Sequence, residues 1–304
     1  MEPMAVTGAN EPVFEKIYLE ISNICNLQCS FCPPVKRANA VLPANHFRSY
    51  LQSIKGYSRR VCLHVMGEPL GHKQFPLFVE VAAEMGVALE ITTNGTLLNQ
   101  SNQQALMNPS VVQVNFSVQS FFDNFPTADP NRYIESLFSF CREAMIQRPD
   151  LYINFRLWNL ESDQENQAAN NNFLKAIEKE FHVELNPKVD PAFKKSKKIS
   201  GRIYLHFDSR FEWPEESSLE PRTKGTCYGS RTHIAVHANG DVVPCCLDKE
   251  AQILLGNLSE QPFSEILNSK RFLNIRQGFE RGQLVELLCQ TCQYSTRFGK
   301  SLKT

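Results

Sequence analysis

Two groups of cysteines in this chain have a spacing that could do chemistry. Cys25, Cys29 and Cys32 fall within eight residues in the pattern CxxxCxxC. Three thiolates in so short a loop cannot enclose zinc tetrahedrally without a fourth ligand from elsewhere. They can hold three corners of an iron–sulfur cube and leave one iron open. An open iron is a place to bind a substrate, not only a relay for electrons. The ferredoxin run, with a shorter first gap and a fourth cysteine, is not matched. A second group lies far along the chain: Cys227, then twelve residues, Gly240, then four residues, Cys245, followed later by Cys289-Gln-Thr-Cys292. Zinc stays open as a reading for these four. Cys246 is a spare beside Cys245, and Cys62 and Cys141 read as core residues.

Those groups need elements to position them. The first half of the chain alternates short apolar runs with helical stretches. Strand patterns cover 16–22, 61–65, 87–93, 111–118 and 151–157, and helical patterns cover 44–55, 74–85, 99–107, 131–147 and 163–181. Strands alternating with helices of this length imply βαβ units and a parallel sheet. Five or six such units suit an incomplete α/β barrel or an open doubly wound sheet, because a closed barrel takes about 250 residues. Around 186–201 two prolines and the cluster Lys194, Lys195, Lys197 and Lys198 read as a solvated linker. Beyond residue 225 comes a small α+β module. Asn239-Gly240 predicts a two-residue hairpin there, and 262–269 and 271–279 read as short helices. The division predicted is 1–205 and 206–304.

Composition narrows the function. With 32 Lys+Arg against 32 Asp+Glu, bulk charge argues against a nucleic-acid partner. No run of about 20 apolar residues exists to span a membrane, and the N-terminus lacks the basic start and apolar core of a secretion signal. Ten cysteines in such a chain read as metal ligands or redox groups in a cytoplasmic protein, not as disulfides.

The CxxxCxxC run, with Phe31 before its third cysteine and a strand ahead of it, resembles the radical S-adenosylmethionine (SAM) superfamily. Further motifs follow in that family's order. Met66-Gly67-Glu68-Pro69 stands where the family has its glycine–glutamate motif, with Met66 in place of the first glycine. Thr92-Thr93-Asn94-Gly95 follows the third strand, and Asn115-Phe116-Ser117-Val118-Gln119 the fourth, with Gln119 in place of an acid. The resemblance covers about 15–205 and implies a partial (β/α)6-type barrel. It implies that Cys25, Cys29 and Cys32 ligate a [4Fe–4S] cluster whose fourth iron binds the SAM amino and carboxylate groups. Phe31 would pack by the adenine, Glu68 with Gly67 and Pro69 would receive the amino group, and Asn94 belongs to the same cofactor site. Ser117 would contact the ribose or carboxylate. Arg156 is a partner for the carboxylate, since a guanidinium matches it bidentately, or else part of a structural ion pair.

The second group resembles the auxiliary-cluster module of such enzymes, the SPASM domain in its shortened twitch form. That resemblance makes Cys227, Cys245, Cys289 and Cys292 the ligands of one auxiliary [4Fe–4S] cluster, the hairpin bringing Cys245 back toward Cys227. The implied chemistry is reductive cleavage of SAM to a 5′-deoxyadenosyl radical that takes a hydrogen atom from a substrate. A peptide or protein substrate leads. A small-molecule, aminosugar-like dehydrogenase, an RNA-modifying enzyme and a non-enzymatic electron carrier are the alternatives. The short stretch before Lys16 leaves no room for a leader-peptide-recognition domain. An electron donor such as flavodoxin or ferredoxin is implied. No catalytic side chain is singled out. His64 and His72 bracket the Gly67–Pro69 segment, with His64 a candidate for the cofactor side. His233 and His237 share one face of the hairpin strand and read as packing residues. Trp158, Phe211 and Trp213 are candidates for a substrate cavity or for core.

Overall fold

A computed structural model describes residues 13–159, 164–185, 196–210, 212–214 and 220–295. The chain divides into two compact units, one of Met1–Ile24, Pro34–Gly67 and Phe211–Thr304, the other of Cys25–Pro33 and Glu68–Arg210.

In the first unit, β1 (Phe14–Leu19) pairs in parallel with β2 (Ser58–Cys62) and with β8 (His233–Val236). The strand β8 then turns back into β9 (Asp241–Val243), which pairs with the short β10 (Gly256–Asn257). Ile17, Leu19 and Ile21 are buried, the alternation read from sequence, and Phe14 at the start of β1 is buried as well. The helix α1 (Ala44–Ile54) buries Phe47, Tyr50, Leu51 and Ile54 at the spacing of one helical face. Three helices follow the hairpin: α7 (Phe263–Leu267), α8 (Lys270–Glu280) and α9 (Leu287–Thr291).

In the second unit, β3 (Leu89–Thr93), β4 (Val111–Ser117), β5 (Tyr152–Leu157) and β7 (Ile203–Phe207) run parallel in that order, and β6 (Ser196–Ser200) closes the edge antiparallel to β7. The helices α2 (Phe75–Glu84), α3 (Gln100–Leu106), α5 (Asn131–Gln147) and α6 (Gln164–Phe181) alternate with them. Phe116, Phe138, Phe140, Phe155 and Phe173 form an aromatic core between sheet and helices. Cys62 and Cys141 are both buried.

Four details depart from expectation. The run at 186–201 is not all linker, for Lys197 and Lys198 lie in β6, while Lys194 and Lys195 lie outside the described residues. Backbone pairing to β7 needs no apolar content, and lysines suit an exposed sheet edge. The strand expected at 61–65 begins at Ser58, because Ser58 and Arg60 pair with Phe14 and Lys16. The hairpin is real but its loop has three residues. His237 faces Asp241, and Gly240 takes the left-handed conformation (φ +92°) of a bulge after the Ala238-Asn239 turn. The helix α4 (Gln119–Asn124), absent from the sequence reading, follows β4 directly.

Candidate active site and second cysteine cluster

The loop bearing Cys25, Cys29 and Cys32 belongs to the second unit and is built around its sulfurs. The Leu27 N–H donates to Cys25 Sγ at 3.4 Å, and the Cys32 N–H closes a turn on the Cys29 carbonyl at 3.0 Å. The end of α4 grips the middle of the loop. Asn124 donates to Cys29 Sγ at 3.2 Å and accepts the Gln28 N–H at 2.8 Å, while Asp123 accepts the Ser30 N–H at 2.6 Å. Arg210 bonds the Ser30 carbonyl, and its guanidinium lies 5.9 Å from the centre of the Phe31 ring. Ser120, Asp123, Asn124 and Arg210 were not legible as site residues. The segment Gln119–Asn124 carries no periodic signal, and its partners lie more than ninety residues away in sequence.

The second and third motifs are joined by Glu68. This buried carboxylate accepts the Leu70 N–H at 2.9 Å, capping a 3-10 turn that Pro69 starts, and the Asn94 N–H at 2.7 Å. Burial pushes its carboxyl above the ordinary range, against the pull of those two donors. Asn94 is a strut in its own right. Its Nδ2 donates to Asn26 Oδ1 at 2.9 Å and lies 3.9 Å from Cys25 Sγ, its Oδ1 accepts the Thr96 N–H, and its carbonyl accepts the Tyr133 hydroxyl at 2.8 Å. Cys25, Glu68 and Asn94 are thus one connected group. Ser117 ends β4, in register with Arg156 on β5. Arg156 has partners of its own, with Glu90 at 3.8 Å, Thr92 Oγ1 at 3.4 Å and the Trp158 ring 4.6 Å beneath its guanidinium. Trp158 also donates to His206 at 3.0 Å. Gly67 is in the first unit, at φ +78°.

Burial raises the Cys25 and Cys29 thiols above the usual thiol range. Glu68 and Asp123 push the same way, whereas hydrogen bonds from Leu27 to Cys25 and from Ser120 and Asn124 to Cys29 pull down. Such sulfurs suit a cationic iron centre, which takes them as thiolates. Among the described residues no three His, Cys, Asp or Glu side chains converge on a single-ion site. An iron–sulfur cube asks for a different arrangement, one thiolate at each of several irons.

The second group gathers in the first unit. Cys227 precedes β8, Cys245 follows β9, Cys289 lies on α9 and Cys292 caps it. Backbone N–H groups of Arg222, Leu284 and Gly225 donate to the carbonyls of Gln290, Thr223 and Gly282, stitching the Cys227 approach to the α9 approach. The Gly229 N–H donates to Cys227 Sγ at 3.4 Å, and a side chain at Gly229 would stand 3.3 Å from Cys245 Cβ and 3.8 Å from Cys227 Sγ. An added Cβ there would be tight against Cys245. Burial pushes Cys227 up to about 11. Cys245 is raised by burial and then by Cys246, Cys227, Cys289 and Cys292, and Cys289 by burial and then by Cys227 and Cys292. Thiols raised in this way by neighbouring cysteines fit a shared metal cluster, which removes the repulsion between thiolates. Cys246 packs against Val65, Met66, Ala235 and Val243, as does Trp213. Phe211 lies outside the described residues. His64 and His233 both meet the edge or face of Tyr18.

Comparison with known families bears on both clusters. The radical SAM superfamily model matches residues 19–147, and the SPASM iron–sulfur cluster-binding domain matches residues 227–293. The chain carries a radical SAM domain and a SPASM domain. Its radical SAM domain takes a [4Fe–4S] cluster and SAM, and its SPASM domain adds iron–sulfur binding; these are its cofactors. The first match spans Cys25 to Ser117, and the second runs from Cys227 through Cys292. Among curated relatives, the GTP 3′,8-cyclase of Thermodesulfovibrio yellowstonii is 34% identical over 117 residues, 35% of this radical SAM chain and 36% of that protein. The matched stretch spans about a third of each such relative. Among solved structures, BtrN in complex with AdoMet and 2-DOIA superposes with a TM-score of 0.58 at 17% identity over 93% of this chain and 94% of that one. Streptococcus suis SuiB bound to the precursor peptide SuiA gives 0.59 at 16% identity over 92% and 71%. At these identities the likeness is one of fold, a partial α/β barrel with a C-terminal iron–sulfur module. No described helix is long and apolar enough to cross a membrane.

Proposed function

We propose that this protein is an enzyme that cleaves SAM reductively and takes a hydrogen atom from a bound substrate. Cys25, Cys29 and Cys32 ligate the cluster that binds SAM, and Cys227, Cys245, Cys289 and Cys292 ligate one auxiliary [4Fe–4S] cluster. The observation that carries the reading is the Cys25–Glu68–Asn94 group, three motifs drawn together by hydrogen bonds across 70 residues. When bound, the cluster and SAM supply one-electron cleavage of a carbon–sulfur bond and a 5′-deoxyadenosyl radical.

The residues of this chain hold and orient. Glu68 has both oxygens engaged by backbone donors, yet each keeps a lone pair for an ammonium. Asn94 braces the Cys25 side of the loop, and Phe31 offers a ring face to the adenine. Ser117 lies at the strand end where a ribose or carboxylate would be met. With five N–H donors, Arg156 can meet a SAM carboxylate beside Glu90. The auxiliary cage has four thiolates and so no open iron, which suits electron handling rather than substrate binding.

A peptide or protein is the first substrate reading, with flavodoxin or ferredoxin as electron donor in a reducing cytoplasm, where cysteines are not paired as disulfides. The second reading is oxidation of a small aminosugar-like molecule. Supporting it, BtrN, whose structure holds AdoMet and 2-DOIA, matches nearly the whole of both chains. The test is to incubate the reduced enzyme with fractionated extract and assay substrate-dependent 5′-deoxyadenosine. The variant lacking Cys25, Cys29 and Cys32 should form none, and formation by that variant would overturn the reading.

A further inference from the structure

Asn124 makes three hydrogen bonds that fix which way its carboxamide points. Its Oδ1 accepts the Gln28 N–H at 2.8 Å, and its Nδ2 donates to the Ser120 carbonyl at 2.9 Å and to Cys29 Sγ at 3.2 Å. A backbone N–H can only donate and a carbonyl can only accept, so the amide cannot be flipped and an N–H must face the sulfur. The next residue back, Asp123, takes the Ser30 N–H at 2.6 Å and the Ser30 hydroxyl at 2.5 Å. The residues on both sides of Cys29 are therefore held from one end of α4, and the sulfur between them receives a directed donor.

We propose that Asn124 is a positioning residue that sets the reduction potential of the first cluster through its N–H···S bond to Cys29. The proposal rests on the reading that Cys25, Cys29 and Cys32 ligate that cluster. Reduction adds negative charge that is shared with the thiolate sulfurs, so a donor aimed at one of them stabilises the reduced state more than the oxidised one. The bond thus makes reduction easier. Outer hydrogen bonds to metal ligands tune a site in this way while orienting them.

Two variants separate tuning from loop support. Asn124→Asp keeps an oxygen for the Gln28 N–H and loses the donor to sulfur, whereas Asn124→Ala loses both. The reconstituted full-length enzyme would be titrated with reductant under EPR, the first-cluster step being the one that vanishes in the Cys25/Cys29/Cys32→Ala variant. In both Asn124 variants that step should become at least tenfold harder to reduce, 59 mV or more negative for one electron. The auxiliary step, an internal control, should stay in place. An unmoved first step in a loaded Asn124→Asp enzyme would overturn the proposal. So would loss of the first cluster from both variants, which would assign Asn124 to assembly. If the triple cysteine variant lost no step at all, the ligand reading itself would fail.

Discussion

The Asn94 backbone N–H donates to the Glu68 carboxylate at 2.7 Å, tying two motifs 26 residues apart in sequence. Because Glu68 is buried and also accepts the Leu70 N–H, Glu68→Ala strands two buried donors. At about 1–3 kcal/mol each, the variant should melt well below the wild type and also bind SAM more weakly. Thermal unfolding with and without SAM measures both, and a wild-type melting point would remove the strut role.

Gly67 has φ +78°, and a Cβ there would stand 2.3 Å from the Ser22 carbonyl oxygen and 2.9 Å from that of Ile24. Backbone strain of this kind costs about 1–3 kcal/mol before any clash is relieved. Gly67→Ala should therefore lose more than about 2 kcal/mol of stability or fail to fold. Denaturant midpoints for the two proteins decide it.

Anaerobic reconstitution should load about eight irons per chain in two four-iron clusters, and the Cys25/Cys29/Cys32→Ala variant about four. Iron, sulfide and zinc analysis checks this. About four irons plus zinc in the wild type would give the second site to zinc.

On the proposed ligand set, Cys289→Ala opens the auxiliary cage while leaving Cys25, Cys29 and Cys32 untouched. If the auxiliary cluster takes an electron after hydrogen abstraction, product formation should fall sharply while 5′-deoxyadenosine continues to form. The quantity to measure is the ratio of the two. Equal loss of both would assign the module to folding or to electron delivery.

His233 and His237 are both held down to about 4. The cause in each is first burial and then a nearby cation, Lys16 for His233 and Arg37 for His237, with Glu20 and Asp241 opposing at His237. Since the ordinary value is about 6.5, the unfolded chain binds protons that the folded one refuses between those limits. Stability should be full above about pH 6.5 and fall as pH drops toward 4, by up to about 1.4 kcal/mol per pH unit for each histidine. His237→Phe should flatten that slope, as melting points from about pH 7.5 down to 5 would show.

Some of this was legible because it is local. CxxxCxxC places three sulfurs on one loop whatever the rest of the chain does. The alternation of Ile17, Leu19 and Ile21 and the buried face of Asn131–Gln147 follow from the periods of strand and helix. The Asn239-Gly240 reversal follows from glycine's left-handed freedom, though its loop length did not, since pairing of His237 with Asp241 sets that. Other features exist only once the chain is folded. Glu90 comes within 3.8 Å of Arg156 only once β3 and β5 are placed in the sheet. Lys197 and Lys198 read as linker until β7 supplied hydrogen-bond partners. The grip of Asp123 and Asn124 on the cysteine loop joins residues 93 and 96 positions apart. Spacing along a chain constrains only what lies within a few residues of itself, whereas a hydrogen bond between distant segments depends on where every intervening strand and helix packs.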